Sequence, residues 1–183
     1  MCTMMNTFSG KKLNPINITT EDICLEDIAH ALSLLCRGGG HFKFFYSVGQ
    51  HSIHCAKEAK ARGWSKRLQL VCLLHDASEA YITDIIRPVK IHLTNYLQIE
   101  NKIMEKIWEK FGLAPLTEEE VQKWKQIDDD ILDYELKTGM TGEQNRSAQA
   151  LNSKPDISEK DWKKTESTFI EIATSLIDEI KQQ

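Results

Sequence analysis

From Thr19 onward, apolar residues recur at three- and four-residue spacing in one segment after another, and nowhere do they alternate as a strand would require. "TTEDICLEDIAHALSLLC" sets Ile23, Ile28, Ala31, Leu32 and Leu35 at helical spacing, with "RGGG" as its stop. "SVGQHSIHCAKEAKARG" opens with Ser47 and Gln50 in capping-box spacing and ends at Gly63. "SKRLQLVCLLHDASEAY" follows almost at once, so these two helices should pack as neighbours. Three further segments have the same character: "TNYLQIENKIMEKIWEKFG", then "TEEEVQKWKQIDDDILDYELKTG" with the box Thr117/Glu120, and finally "SEKDWKKTESTFIEIATSLIDEIKQQ". The expectation is an all-α, compact, single-domain bundle.

At 183 residues the chain can bury one core but is short for two, so residues 1–183 read as one domain. Its motif-bearing part spans about 27–140, a polar connector covers 141–157, and a C-terminal helix covers 158–183. The connector reads as a surface loop, with an active-site lid as the alternative. A net charge of -4, with no Lys/Arg stripe interleaved with aromatics, argues against a duplex nucleic acid partner. Cys2, Cys24, Cys36, Cys55 and Cys72 are odd in number and mostly sit in apolar helical patterns. They read as reduced thiols, and the protein as cytoplasmic. "MCTMMNTFSGKKLNP" lacks the apolar region of a signal peptide, and no apolar run approaches the roughly 20 residues a membrane span needs.

One stretch breaks the apolar pattern. "LLHDASEAYITD" carries His75, Asp76, Glu79 and Asp84 at the end of an otherwise buried helix, and on a helix the first three share one flank. A hydrogen-bonded, solvated helix end would account for them singly. The preceding helix adds His51, with His54 one turn on, and the long helix after Thr117 adds Asp128, Asp129 and Asp130. Two histidines and two aspartates drawn from three helices make the mixed nitrogen and oxygen set that suits a divalent transition metal with open positions. Only one of two histidines a turn apart need face a metal, and His54 reads as a supporting or core residue. His30, His41 and His92 read as structural, and at least one of the three aspartates as merely solvated.

The strings "RGGGHFKFFYSVGQHS", "LLHDASEAYITDIIRPVK" and "KQIDDDILDYE", in that order, resemble the HD-superfamily metal-dependent phosphohydrolases, in particular the small prophage-type and 5′-deoxynucleotidase-like branch. The likeness runs from about Asp27 to about Met140. It implies an HD-type helical bundle in which His51, His75, Asp76 and Asp128 hold a divalent metal, with Asp129 the alternative to Asp128. The ion would be Mn2+, Co2+, Ni2+, Fe2+, Zn2+ or Mg2+. It also implies that Glu79 activates or orients the attacking water, that Asp84 lies by the reacting phosphate, and that Arg37 and Lys90 bind phosphate.

The implied activity is release of phosphate from deoxynucleoside 5′-monophosphates. The alternatives are a deoxynucleoside triphosphate hydrolase and a helical module that binds nucleotide without turnover. The implied partner is a small-molecule nucleotide, with neither duplex nucleic acid nor membrane. The family suggests a homodimer, although no coiled-coil seam requires one. The chain departs from the deoxynucleotidases at Gly38, where they carry a large aromatic, so the base pocket is left unassigned. Gly38, Gly39 and Gly40 read either as a close backbone approach to a nucleotide or as a helix stop followed by a turn.

Overall fold

A computed structural model describes residues 3–182. The elements in chain order are a hairpin of β1 (Met5–Asn6) and β2 (Lys12–Leu13), then α1 (Leu25–Leu34), α2 (Val48–Ala61), α3 (Lys66–Leu74) and α4 (Glu79–Ile82). They continue with α5 (Arg87–Lys90), α6 (Thr94–Lys110), α7 (Glu118–Gly139) and α8 (Trp162–Lys181). The chain is an all-α single domain, as its periodicity implies. The antiparallel hairpin, with Met5 paired to Leu13, is the one sheet among the described residues, and the sequence pattern did not announce it. Strands of two residues are too short to display alternation. Asp27, in the first turn of α1, secures the hairpin loop by accepting from the Ser9 amide at 2.6 Å and its hydroxyl at 2.9 Å.

Both expected capping boxes form. Ser47 accepts from the Gln50 amide while Gln50 reaches back to the Ser47 amide, and Thr117 and Glu120 do the same. Helices α2 and α3 pack side by side, and α8 lies across α1 and α3. At Gly49 an added Cβ would sit 3.2 Å from the Leu32 backbone, so α1 and α2 approach as closely as they do because that residue has no side chain. Ile28, Leu32, Leu70, Leu73, Leu74, Ile103, Ile107 and Phe169 form the main core. A smaller cluster of Cys55, Ala59, Cys72, Ile127 and Ile131 joins α2, α3 and α7. Cys24, Cys36, Cys55 and Cys72 are free thiols, while Cys2 lies outside the described residues. Among the described residues no helix is long and apolar enough to cross a membrane.

The 141–157 connector has no helix but is tied down. Ile157 is buried with Phe42 and Tyr46, and Leu151 packs on the Cys55 cluster. The Glu58 carboxylate has no exposure and accepts from the Asn152 amide at 3.0 Å, the Ser153 amide at 2.7 Å, the Ser153 hydroxyl at 2.6 Å and Arg62 Nε at 2.8 Å. Removing such a carboxylate leaves two amides and a hydroxyl without their acceptor, while Arg62 keeps Asp130. Glu58→Ala should therefore destabilise the protein by about 1–3 kcal/mol, and Glu58→Gln by less, as read by urea denaturation. A variant as stable as the parent would show that other contacts hold the segment.

Candidate metal centre

The α3 helix stops sooner than its apolar pattern suggests. After Leu74 the chain tightens, with Ala77 N bonding Leu74 O, Glu79 N bonding Asp76 O and Tyr81 N bonding Ser78 O, all three residues back rather than four. His75 and Asp76 therefore lie on a turn between α3 and α4, not on a continuous helix. The change frees carbonyls at the end of α3, and one of them, Cys72 O, accepts from His75 Nδ1 at 2.9 Å. That bond leaves Nε2 as the outward-facing nitrogen of His75.

Across from it, α2 presents His51, fully buried, whose Nδ1 lies 2.8 Å from Glu135 Oε1 on α7. Two histidines thus place their Nδ1 protons on a carbonyl and a carboxylate, and their Nε2 atoms meet at 3.2 Å. With no proton or cation between them, two lone pairs face each other where both rings are buried. Two carboxylates complete the group. Asp76 Oδ2 is 3.3 Å from His75 Nε2 and 3.7 Å from His51 Nε2, while Asp128 Oδ1 is 3.1 Å from His51 Nε2 and 3.7 Å from His75 Nε2.

These separations suit donors around one ion. Bonds of the usual length to nitrogen and oxygen place neighbouring ligands about 3.0–3.6 Å apart in octahedral or tetrahedral geometry. The charges agree with the distances. Burial alone would push His75 down and both aspartates up. Instead Asp76 and Asp128 raise the imidazole well above its ordinary value, and the two histidines hold the carboxyls low. The group calls for positive charge at its centre, and the chemistry of its donors fits a divalent metal.

The hydrogen bond from each imidazole Nδ1 also fixes the ring for ligation through Nε2. Cys55, one turn after His51, brings its Sγ to 3.5 Å of His51 Nε2, and His51, Cys55 and His75 together form a group able to hold a metal ion. Burial pushes the Cys55 thiol well up, so it stands beside the carboxylates as a neutral, soft neighbour.

Arg37 is nine-tenths buried at the centre of this network. Its Nε donates to Glu135 Oε2 at 2.9 Å, and its two terminal nitrogens lie 3.4 Å from Asp76 and 3.5 Å from Asp128. The three glycines after it have φ of 62°, 64° and 77°, a left-handed run that other residues resist. A Cβ at Gly38 would come within 2.9 Å of Met140 Cε and 3.0 Å of Phe42 Cε2. The space an aromatic would need after the arginine is occupied by Phe42 itself.

Glu79 is 3% exposed, with Oε1 at 3.2 Å from Lys90 Nζ and Oε2 without a hydrogen-bond partner. Burial, followed by the charges of Asp76 and Asp84, raises its carboxyl well above the ordinary value. Lys90 also donates to Glu100 at 2.8 Å, so two carboxylates hold it. Thr83, just before Asp84, adopts φ 68° and ψ 158°. That region costs a residue with a Cβ about 1–3 kcal/mol, and Tyr96 Oη secures it by donating to Thr83 O at 2.7 Å. The strained turn brings Asp84 into the electrostatic reach of Arg37, Asp76, Lys90 and His51, and burial raises its carboxyl.

Of the aspartate run, Asp128 is one of the four donors. Asp129 is largely exposed and pairs with Arg87 at 2.6 Å, while Asp130 pairs with Arg62 at 2.8 Å. His54 faces away from the centre and contacts Tyr46 Oη at 2.8 Å through Nδ1.

Sequence reasoning missed Glu135, Tyr46, Cys55 and Arg87. Glu135 accepts from Arg37, from His51 and from Tyr46 Oη at 2.7 Å, and His51 and Arg37 hold its carboxyl down at about 2 although burial opposes them. Its position seven residues after Asp128 puts the two on one face of α7, a signal that could have found it. Arg87 donates to Asp128 Oδ2 at 3.0 Å, on the rim of the centre.

A buried group of His51, Cys55 and His75 able to hold a metal ion, set in an all-α fold, is the class of site that this geometry defines. No family model matches the chain. Uncharacterized protein YfdR of Escherichia coli (strain K12) is 41% identical over 112 residues, covering 61% of this chain and 60% of YfdR, so the match spans less than two thirds of that relative. Uncharacterized protein RCAP_rcc00048 of Rhodobacter capsulatus is 30% identical over 154 residues, 81% of this chain and 78% of that protein. The chain belongs to the family of RCAP_rcc00048.

Proposed function

We propose that this protein is a metal-dependent phosphohydrolase of the HD superfamily, releasing phosphate from deoxynucleoside 5′-monophosphates. The observation that carries the reading is the meeting of His51 Nε2, His75 Nε2, Asp76 Oδ2 and Asp128 Oδ1 at 3.1–3.7 Å beside the buried Glu79. A divalent ion bound there supplies Lewis acidity toward a phosphoryl oxygen and makes water easier to deprotonate near neutral pH.

The chain's own residues supply the rest. Glu79, with one oxygen steadied by Lys90 and the other free, accepts the proton from the attacking water, and its raised carboxyl is the stronger base for it. Arg37, aligned by Glu135, and Lys90 offset charge on the phosphoryl oxygens as the bond to the leaving oxygen breaks. Asp84 stands beside them at the end of its strained turn and positions the phosphate through these cations. Glu135 and Cys72 O hold the two imidazoles in the tautomer that ligation requires.

The test is a panel of nucleotides assayed against Mn2+, Co2+, Ni2+ and Mg2+, with orthophosphate, pyrophosphate and triphosphate separated. Metal-dependent orthophosphate from deoxynucleoside monophosphates is the expected result. Triphosphate from deoxynucleoside triphosphates would replace the substrate assignment, and no product with any pair would overturn the hydrolase reading.

A further inference from the structure

A polar cleft lies apart from the four donor residues, none of which lines it. With a volume of about 370 Å³ it opens between α2, the 153–160 segment and the first turns of α8, within the roughly 300–1,000 Å³ range of small-molecule sites. Lys57, Lys154, Lys160 and Lys164 line it, together with His54, Asp156 and Thr168. Asp156 and Lys160 pair with each other, and Asp156 also accepts from the Ser158 amide. The ammonium groups of Lys57, Lys154 and Lys164 make no hydrogen bond or ion pair with the described residues. Three unpaired ammonium groups converging on one cleft, in a chain of net charge -4, make a local field that attracts an anion.

The floor of the cleft narrows the choice of anion. His54 is 8% exposed, and only its Nδ1 has a protein partner, Tyr46 Oη. Tyr46 gives its single proton to the Glu135 carboxylate, so toward His54 the phenol oxygen accepts and Nδ1 carries the hydrogen. Burial keeps the ring neutral, with its pKa lowered to about 4. Nε2 is then a lone pair with no protein partner on a residue that lines the cleft, able to accept from a ligand's donor. An oxyanion with no proton would place a charged oxygen against it, whereas one that keeps a hydroxyl satisfies lysines and imidazole together.

We propose that this cleft is a second ligand site, separate from the metal centre, which takes a phosphate group with the lysines on its charged oxygens and His54 Nε2 accepting from its hydroxyl. The group can come from inorganic phosphate or from a phosphomonoester of a nucleotide. Each carries a proton below its second pKa.

Amide NMR of the metal-free full chain, titrated in parallel with inorganic phosphate, sulfate and a deoxynucleoside monophosphate at pH 6, tests this. Inorganic phosphate should shift the amides of 153–157 and 164–168, with sulfate roughly tenfold weaker because it leaves Nε2 unmatched. If the monophosphate shifts the same amides at lower concentration, the source is a nucleotide; if it is weaker than inorganic phosphate, the source is free phosphate. The double variant Lys57→Glu/Lys164→Glu should lose these shifts while keeping its circular dichroism and its Mn2+ content. Shifts confined to the neighbourhood of Glu79 and Lys90, equal binding of sulfate, or a double variant that binds as before would each overturn the proposal.

Discussion

Alanine at either His75 or Asp76 should abolish binding of a divalent metal while leaving the helical signal nearly intact. Each residue supplies one donor atom to a group in which the imidazole nitrogens lie 3.1–3.7 Å from one another and from the carboxylate oxygens, and removing one leaves an open coordination position there. The fold should tolerate the loss. His75 and Asp76 stand on a turn outside α3, and the core formed by Leu70, Leu73, Leu74 and Ile107 does not depend on them. His51→Ala should behave as His75→Ala does, whereas His54→Ala should retain metal, because His54 touches Tyr46 and not the donor group. Metal content by mass spectrometry on the four variants decides this. Full occupancy in His75→Ala or Asp76→Ala would sink the assignment.

Glu79→Gln should lower turnover by about 10²- to 10⁴-fold with metal content and nucleotide affinity close to the parent. Glutamine preserves the size of the side chain and can still accept from Lys90, now through an amide oxygen, but it has no basicity to offer at the position where Oε2 lies unpartnered. An interaction used only in the transition state reduces kcat and kcat/KM together and leaves binding unchanged. Lys90 loses a charged neighbour yet keeps Glu100 at 2.8 Å, so the local structure should hold. Steady-state rates and nucleotide titrations on this variant separate the outcomes. Near-normal turnover would make Glu79 a structural partner of Lys90 and nothing more.

The parts of the site legible in the sequence were those with unusual chemistry for their surroundings. His75, Asp76 and Glu79 interrupt an apolar helix pattern, and His51 interrupts another, so their residue types alone marked them. Glu135 was not marked in this way. It looks like an ordinary polar residue of an amphipathic helix, and its role exists only because α7 brings it against His51 and Arg37, 84 and 98 residues away in the chain. Arg87 escaped notice for the same reason, since its partner Asp128 is 41 residues distant. The resemblance pointed to Asp128 with Asp129 as the alternative, and the packed helix turns Asp128 toward His51 and Asp129 toward Arg87. Neighbouring residues point about 100° apart, and which of them faces His51 depends on how α7 is rotated against α2.

By itself, then, the sequence determined the all-α class, the two capping boxes and the set of residues too costly to bury without purpose, because capping, periodicity and desolvation act over a few residues. Tertiary structure alone decided that four donor atoms meet around one point, that α3 ends before His75, and that Glu135 locks Arg37, Tyr46 and His51 together. Those outcomes rest on the rotation and approach of helices distant in the chain. Packing sets these, and no local pattern encodes them.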